Sequence, residues 1–184
     1  MAEDTIVSGF FAGASLGYSM HTIGASGYED ESGSTAAFGV NAGYNFNDNV
    51  SFIVDYTNYG SADLFSAPVV GGNVQFFSET TGLSGMVQYI SERVVSEWSY
   101  GARLGLIAWS TDVSVKGFGN TAPVGDDSGV SVVGGFMARY AATEKLDLIF
   151  SADWFVYDHK AELLDDQKVD FQHDRYAIGL QYHF

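Results

Sequence analysis

The chain has 184 residues, of which 46% are hydrophobic and 15% aromatic, and its formal net charge at pH 7 is −15. With 8 Lys and Arg residues against 23 Asp and Glu residues, it lacks the clustered basic side chains that nucleic-acid binding requires. No segment approaches the roughly 18 consecutive apolar residues of a membrane-spanning helix. Cysteine is absent, which excludes disulfides and thiolate metal sites.

Apolar residues alternate with small or polar residues, the period of a β-strand whose two faces differ. This alternation predicts eight strands, over residues 9–20, 36–46, 50–59, 74–90, 98–115, 130–140, 145–157 and from about 171 onward. In the first strand Phe10, Leu16 and Tyr18 share one face, and glycine and serine share the other. A spanning β-strand needs only about 9–11 residues of this kind. The pattern therefore predicts an all-β, eight-stranded antiparallel up-and-down transmembrane barrel, a single domain over residues 1–184.

The predicted connections alternate in length. Residues 47–49, 91–97 and 141–144 form short turns, whereas residues 21–35, 60–73, 116–129 and 158–170 form long polar loops. Short periplasmic turns and long external loops are typical of outer-membrane barrels. Outward aromatic residues fall into two belts, as membrane interfaces favour. Near the periplasmic ends these are Phe10, Phe46, Phe52, Tyr89, Tyr100, Tyr140 and Phe184, and near the outer ends Tyr18, Phe38, Tyr56, Phe77 and Trp154.

A soluble barrel of the lipocalin type is the alternative architecture, but its interior is apolar and its exterior polar. Here the face rich in Leu, Val and aromatic residues is opposed by Gly, Ser, Asn, Asp and Arg, so the sidedness favours a membrane barrel. The closing strand supports this, because Tyr176, Ile178, Leu180, Tyr182 and Phe184 share one face. Tyr182 and Phe184 are interpreted as the signature that the barrel-assembly machinery reads.

Four segments carry a resemblance to a known family: FFAGASLGY at 10–18, AFGVNAGY at 37–44, YGARLG at 100–105 and SGVS at 128–131. Their order and spacing resemble the transmembrane domain of OmpA-like outer-membrane proteins, including small opacity-like and porin-like barrels. The resemblance implies an interior filled by a network of charged side chains, with Arg103 on a matching inward basic position. Ser15 stands where the family often has lysine, and Ile53 where an inward glutamate is usual.

Six ionisable residues are predicted to face inward: Asp55, Arg103, Arg139, Asp147, Asp153 and Arg175. They could form a gated ion pathway. Alternatively they are structural, because eight strands leave an interior just wide enough for side chains, whose buried charges must pair. The structural interpretation is favoured.

The long loops hold most of the surplus acid. The candidates for divalent-cation binding are Glu29, Asp30, Glu31, Asp126, Asp127, Glu162, Asp165 and Asp166, with Asp170 and Asp174 beside the last loop. Hard cations favour such carboxylates, but no loop has the ligand spacing of a calcium-binding hand, and charge runs are usually solvated faces. Cation bridging to lipopolysaccharide phosphates is a further possibility. We expect no resident metal or cofactor.

No catalytic constellation stands out. His21 lies near Ser19, but it is placed in a loop, where histidines are usually solvated, and His173 has no neighbouring serine. The leading hypothesis is therefore a non-enzymatic, monomeric outer-membrane barrel that supports the envelope and displays acidic loops for adhesion. A narrow passive pore and a lipid A-modifying enzyme are the alternatives. We expect lipid, lipopolysaccharide and the assembly machinery as partners, an export signal already removed with Met1 introduced for expression, and no periplasmic domain.

Overall fold

The computed structural model describes residues 9–25, 31–69, 72–91, 94, 97–117, 120–161 and 167–184. They form eight strands: β1 (Gly9–Ala25), β2 (Glu31–Asn45), β3 (Val50–Val69), β4 (Gly72–Ile90), β5 (Trp98–Gly117), β6 (Asn120–Ala141), β7 (Leu146–Ala161) and β8 (Gln167–His183). Each strand pairs with its neighbours in sequence, and β8 pairs with β1, so the sheet closes in the order β1 to β8. The predicted fold is confirmed. Within the described ranges, no helix is long and apolar enough to cross a membrane.

The short turns lie where they were predicted, but the long loops do not. Residues 60–73 and 116–129 were expected to be loops, whereas β3 extends to Val69, β4 begins at Gly72, β5 extends to Gly117 and β6 begins at Asn120. The prediction of two long loops there was wrong. Gly, Ser and Asp residues suggested loops, but the antiparallel partner supplies ladder hydrogen bonds that hold these segments extended. β1, β2, β7 and β8 likewise extend beyond their predicted outer ends.

The two faces of the barrel wall follow the predicted alternation. Outward aromatic residues such as Phe10, Tyr18, Phe38 and Trp154 are exposed on the barrel surface, as a lipid-facing band requires. Phe77 and Tyr140 are half-buried, and Tyr140 packs against Trp98 with ring centroids 5.2 Å apart. The apolar exterior therefore carries aromatic residues towards both ends of the barrel.

A bulge in β3 interrupts the alternation at Gly60, whose φ is 80°. The register between β3 and β4 shifts between Asn58 and Ser61, and Asn58 Oδ1 accepts a hydrogen bond from the Gly60 N–H at 2.7 Å. Beyond this point Ala62 is buried while Ser61 is exposed, so the inward face changes from odd to even residues. Because the left-handed region favours glycine, Gly60 permits this reversal where the strand leaves the outer belt.

Candidate functional site: the barrel interior

The interior is built from three groups of side chains, one above another along the barrel axis. All six inward charges suggested by the sequence lie here and are buried: Asp55, Arg103, Arg139, Asp147, Asp153 and Arg175. They form three ion pairs.

Arg103 of β5 pairs with Asp153 of β7. Its Nε and one terminal nitrogen donate to the two carboxylate oxygens, a bidentate arrangement. In the register of the strands, Gly135 of β6 lies opposite both Arg103 and Asp153. An added Cβ at Gly135 would lie 2.1 Å from the Asp153 Oδ1 atom. The pair therefore depends on a glycine at position 135, because a side chain there would occupy the space of the Asp153 carboxylate.

Arg175 of β8 lies opposite Asp153 in the ladder, yet it also crosses the barrel to Asp55 of β3, with 3.6 Å between Arg175 Nη1 and Asp55 Oδ1. Its other terminal nitrogen donates to the Ser15 hydroxyl, and the Thr57 hydroxyl donates to the Asp55 carboxylate. Ser15 therefore accepts a hydrogen bond from an interior arginine at the position where the related family often has lysine.

The third ion pair lies near the periplasmic turns. Arg139 Nε is 3.8 Å from Asp147 Oδ2, and His183 Nε2 donates to the same oxygen at 2.8 Å. Asn45 Nδ2 is 3.3 Å from His183 Nδ1 and donates to it in the tautomer whose proton is on Nε2. The sequence indicated the arginine and the aspartate of this group but missed His183, whose odd position on the closing strand was the available signal.

The outer end of the interior is closed by aromatic and histidine rings. His173 stacks on Phe155, with centroids 4.8 Å apart, and its ring lies 4.3 Å from that of His21. Trp109 and Tyr157 stack at 3.7 Å, and Thr111 bonds the Tyr157 hydroxyl at 3.1 Å. We call these rings, with Tyr59, the outer ring layer. Sequence reasoning missed it because its members come from five strands whose inward residues meet only after closure.

His21 was expected to be solvated in a loop, and that expectation was wrong. It lies on β1, is 1% exposed, and has one ring nitrogen 3.2 Å from Ser78 Oγ and the other 3.2 Å from the Tyr59 carbonyl oxygen. The reason is the extension of β1, which keeps odd residues facing inward past Met20. Ser19, its conceivable catalytic partner, has a buried hydroxyl without a hydrogen-bond partner among the described residues.

Both histidines of the outer ring layer lie three residues beyond the belt residue Tyr18 and its ladder partner Tyr176, towards the outer ends of β1 and β8. Burial lowers the pKa of His21, partly offset by its hydrogen bond to the Tyr59 carbonyl. Burial also holds the pKa of His173 well below its usual value, and the nearby His21 lowers it further. Uncharged imidazoles therefore suit this layer.

Little space remains between the central ion pairs. A cavity there has a volume of about 20 Å³ and is lined by polar groups of Asp55, Arg103 and Arg175. One water needs about 10–15 Å³ by the same measure, so the cavity is too small for a hydrated ion. The described side chains therefore fill the barrel as an eight-stranded wall allows.

The predicted cation-binding loops are only partly described. Glu29, Asp30, Glu162, Asp165 and Asp166 lie outside the described residues, as do the side chains of Glu31 and Asp170. Asp126 is exposed on β6. Asp127 Oδ1 accepts from the Ser128 N–H, and Asp174 accepts from Gln172 Nε2 at 3.0 Å. Among the described side chains, no three His, Asp or Glu groups cluster as metal ligands would.

Comparison with known proteins agrees with this geometry. The family model for the OmpA-like transmembrane domain matches residues 2–184. Among solved structures, Neisserial surface protein A shares 18% identity at a TM-score of 0.63, covering 96% of this chain and 98% of that one. OprG from Pseudomonas aeruginosa shares 13% identity at a TM-score of 0.59, covering 96% of this chain and 97% of that one. Ail, the attachment invasion locus protein of Yersinia pestis, shares 16% identity at a TM-score of 0.52, covering 96% of this chain and 99% of that one. Curated protein sequences give no significant match.

Proposed function

The chain belongs to the OmpA-like transmembrane domain family, and from that premise we propose that it is a closed, non-enzymatic barrel with a structural and surface-interaction role. It is an integral β-barrel of the bacterial outer membrane. Fold alone does not decide function, so the proposal rests on what fills the interior and on what the outer ends of the strands display.

The filled interior is the observation that carries the proposal. Arg103 and Asp153 close the centre, Trp109 stacks on Tyr157 above them, and the polar cavity between the ion pairs measures about 20 Å³. A buried pair of charges is costly to break, because removing one partner leaves the other unpaired in a low-dielectric site. Such an interior stabilises the wall and supports a scaffold rather than a channel.

The surface role rests on the long hairpins. β5 and β6 remain paired out to Gly117 and Asn120, far beyond Trp109, and carry exposed carboxylates such as Asp112 and Asp126. Ail, which has a similar barrel, is named for attachment and invasion. We propose that the acidic hairpins meet the surface environment and contact lipopolysaccharide phosphates through bridging cations.

The alternative is a narrow passive pore, and conductance distinguishes the two. Refolded wild type in a planar bilayer is expected to be silent, and Arg103→Ala is expected to produce discrete channel events because it removes the central pair. Thr121→Ala, on the exposed end of β6, is the matched control and should stay silent. Channel events from the wild type would overturn the closed barrel and make the pore the leading function.

An enzymatic role is disfavoured because Ser78, whose hydroxyl lies 3.2 Å from His21 Nδ1, is buried inside the barrel together with that histidine, away from a lipid substrate. Ser19, two residues before His21 in the sequence, has no hydrogen-bond partner among the described residues. Nucleophilic catalysis needs a base within hydrogen-bond reach of the nucleophile. Expression in a Gram-negative host should therefore leave the mass of lipid A unchanged. A mass shift that disappears in His21→Gln would contradict the non-enzymatic proposal.

The closing strand is proposed to carry the assembly signal, with the exposed Tyr182 and Phe184 rings packed 5.3 Å apart. Phe184→Ala should reduce the amount of folded barrel in the outer membrane while leaving refolding in detergent intact. Equal membrane insertion of the variant and wild type would rule this out.

A further inference from the structure

Three residues that line one small cavity each carry a buried polar side-chain atom without a hydrogen-bond partner. In the described part of the chain, Asn41 Oδ1, Gln88 Oε1 and Arg175 Nε are among the five buried side-chain atoms left unpaired. All three residues line the cavity of about 20 Å³ between the central ion pairs. Buried polar groups are rarely left unpaired, because each loses its hydrogen bonds to water and gains none in return. Their convergence on one space calls for a ligand.

The partners of these residues explain why these atoms remain free. The two terminal nitrogens of Arg175 already contact Asp55 and Ser15, which leaves Nε. Gln88 donates through Nε2 to Ser51 Oγ at 3.2 Å, which leaves its carbonyl oxygen. Two of the three side chains of the site are therefore anchored by other contacts.

We propose that this cavity is the binding site of a single internal water molecule. The water donates its two hydrogens to Asn41 Oδ1 and Gln88 Oε1 and accepts the Arg175 Nε–H. Two acceptors and one donor match the hydrogen-bonding capacity of a water molecule, and the volume of the cavity is enough for one such molecule. A metal cation would face the Arg175 guanidinium, and an anion would face two carbonyl oxygens, so neither fits this set.

The bound water joins strands that are not neighbours. Asn41 lies on β2, Gln88 on β4 and Arg175 on β8, with β3 and β1 between them in the wall. The water thus extends the network of the Arg175 and Asp55 pair across the interior. This inference concerns the interior packing and does not require the proposed surface role.

The test is the nuclear Overhauser effect between water and the Arg175 Nε–H in isotope-labelled protein refolded in nanodiscs. A rotating-frame experiment separates a bound water from hydrogen exchange. Wild type is expected to give a cross-peak with the sign of a long-lived water, and Asn41→Leu/Gln88→Met is expected to lose it. Gln181→Met is the matched control, because Gln181 lines the same cavity but contributes none of the unpaired atoms found in the described residues.

Gln88→Met alone serves if the double variant does not refold, and it should reduce the cross-peak several-fold. A wild type without the cross-peak would overturn the proposal, as would a folded double variant that keeps it. A silent wild-type barrel in the bilayer experiment is compatible with either result, so failure here is distinguishable from failure of the proposed function.

Discussion

Arg103 reaches Asp153 two strands away around the barrel wall, over a position in β6 that carries no side chain. The row Arg103, Gly135, Asp153 spans three strands, and only its outer members are visible in sequence as charges. The glycine at this inward position thus leaves space for the Asp153 carboxylate of the neighbouring strand.

The first prediction concerns Gly135→Ala. Its added Cβ would lie 2.1 Å from Asp153 Oδ1, so the carboxylate must move away from Arg103. We expect a loss of about 3–5 kcal/mol in the free energy of unfolding, as for other broken buried pairs. Urea unfolding in lipid vesicles measures it. Gly125→Ala is the control, because nothing lies within 4 Å of its added Cβ. Equal midpoints for the two variants would show that the pair tolerates a side chain at 135.

The second prediction separates the charges from their packing. Arg103→Met should destabilise the barrel by about 3–5 kcal/mol because Asp153 is left buried without its bidentate partner. Arg103→Met/Asp153→Leu should recover most of that loss, because replacing both members by apolar residues of similar size is often neutral. The double-mutant cycle is measured by the same unfolding assay. A double variant less stable than Arg103→Met would mean that other groups depend on Asp153.

The third prediction concerns pH and the outer ring layer. His173 faces His21 of β1, Tyr59 of β3, and Phe155 and Tyr157 of β7, and His21 faces Ser78 of β4. No carboxylate contacts either imidazole among the described residues. The folded-state pKa of each histidine is lowered, so the unfolded chain binds more protons below its pKa of about 6.5.

Stability should therefore be full above about pH 6.5 and fall as the pH drops below it, by at most about 1.4 kcal/mol per pH unit for each histidine. The free energy of unfolding at pH 7.5 and 5.5 measures this. The free energy of unfolding of His173→Gln should fall less than that of wild type over that interval, because the variant lacks the proton uptake of His173 and keeps the other titrating residues. Identical slopes would contradict the assignment.

The fourth prediction tests the lipid-facing band. Leu104 on β5 is 64% exposed, between the belt residue Tyr100 and the outer end of the strand. Leu104→Arg should cost about 2–4 kcal/mol because a basic side chain would lie in the hydrocarbon. Thr121→Arg, on the exposed outer part of β6, should change the unfolding free energy little. If both substitutions had the same small effect, Leu104 would not face lipid.

The sequence determined the strands of the wall and which of their faces is apolar, because alternation at period two is a local property that can be read from neighbouring residues without knowing how the strands pair. Residues such as Leu104 and Arg103 were assigned to opposite faces before any pairing was known, and the short turns followed from Asn47 and its neighbours. It also indicated the six interior charges. It misjudged the strand ends beyond the belts, since a polar segment remains extended only if its antiparallel partner does.

Only the tertiary structure decided which interior groups meet. Closure of β8 on β1 places His21 against His173, and the staggered register sends Arg175 to Asp55 as well as to its ladder neighbour Asp153. These contacts join residues far apart in sequence, and their geometry depends on register and on gaps such as the one at Gly135. The alternation of a strand specifies the face on which a side chain lies, whereas its partner across the barrel is set by how all eight strands close.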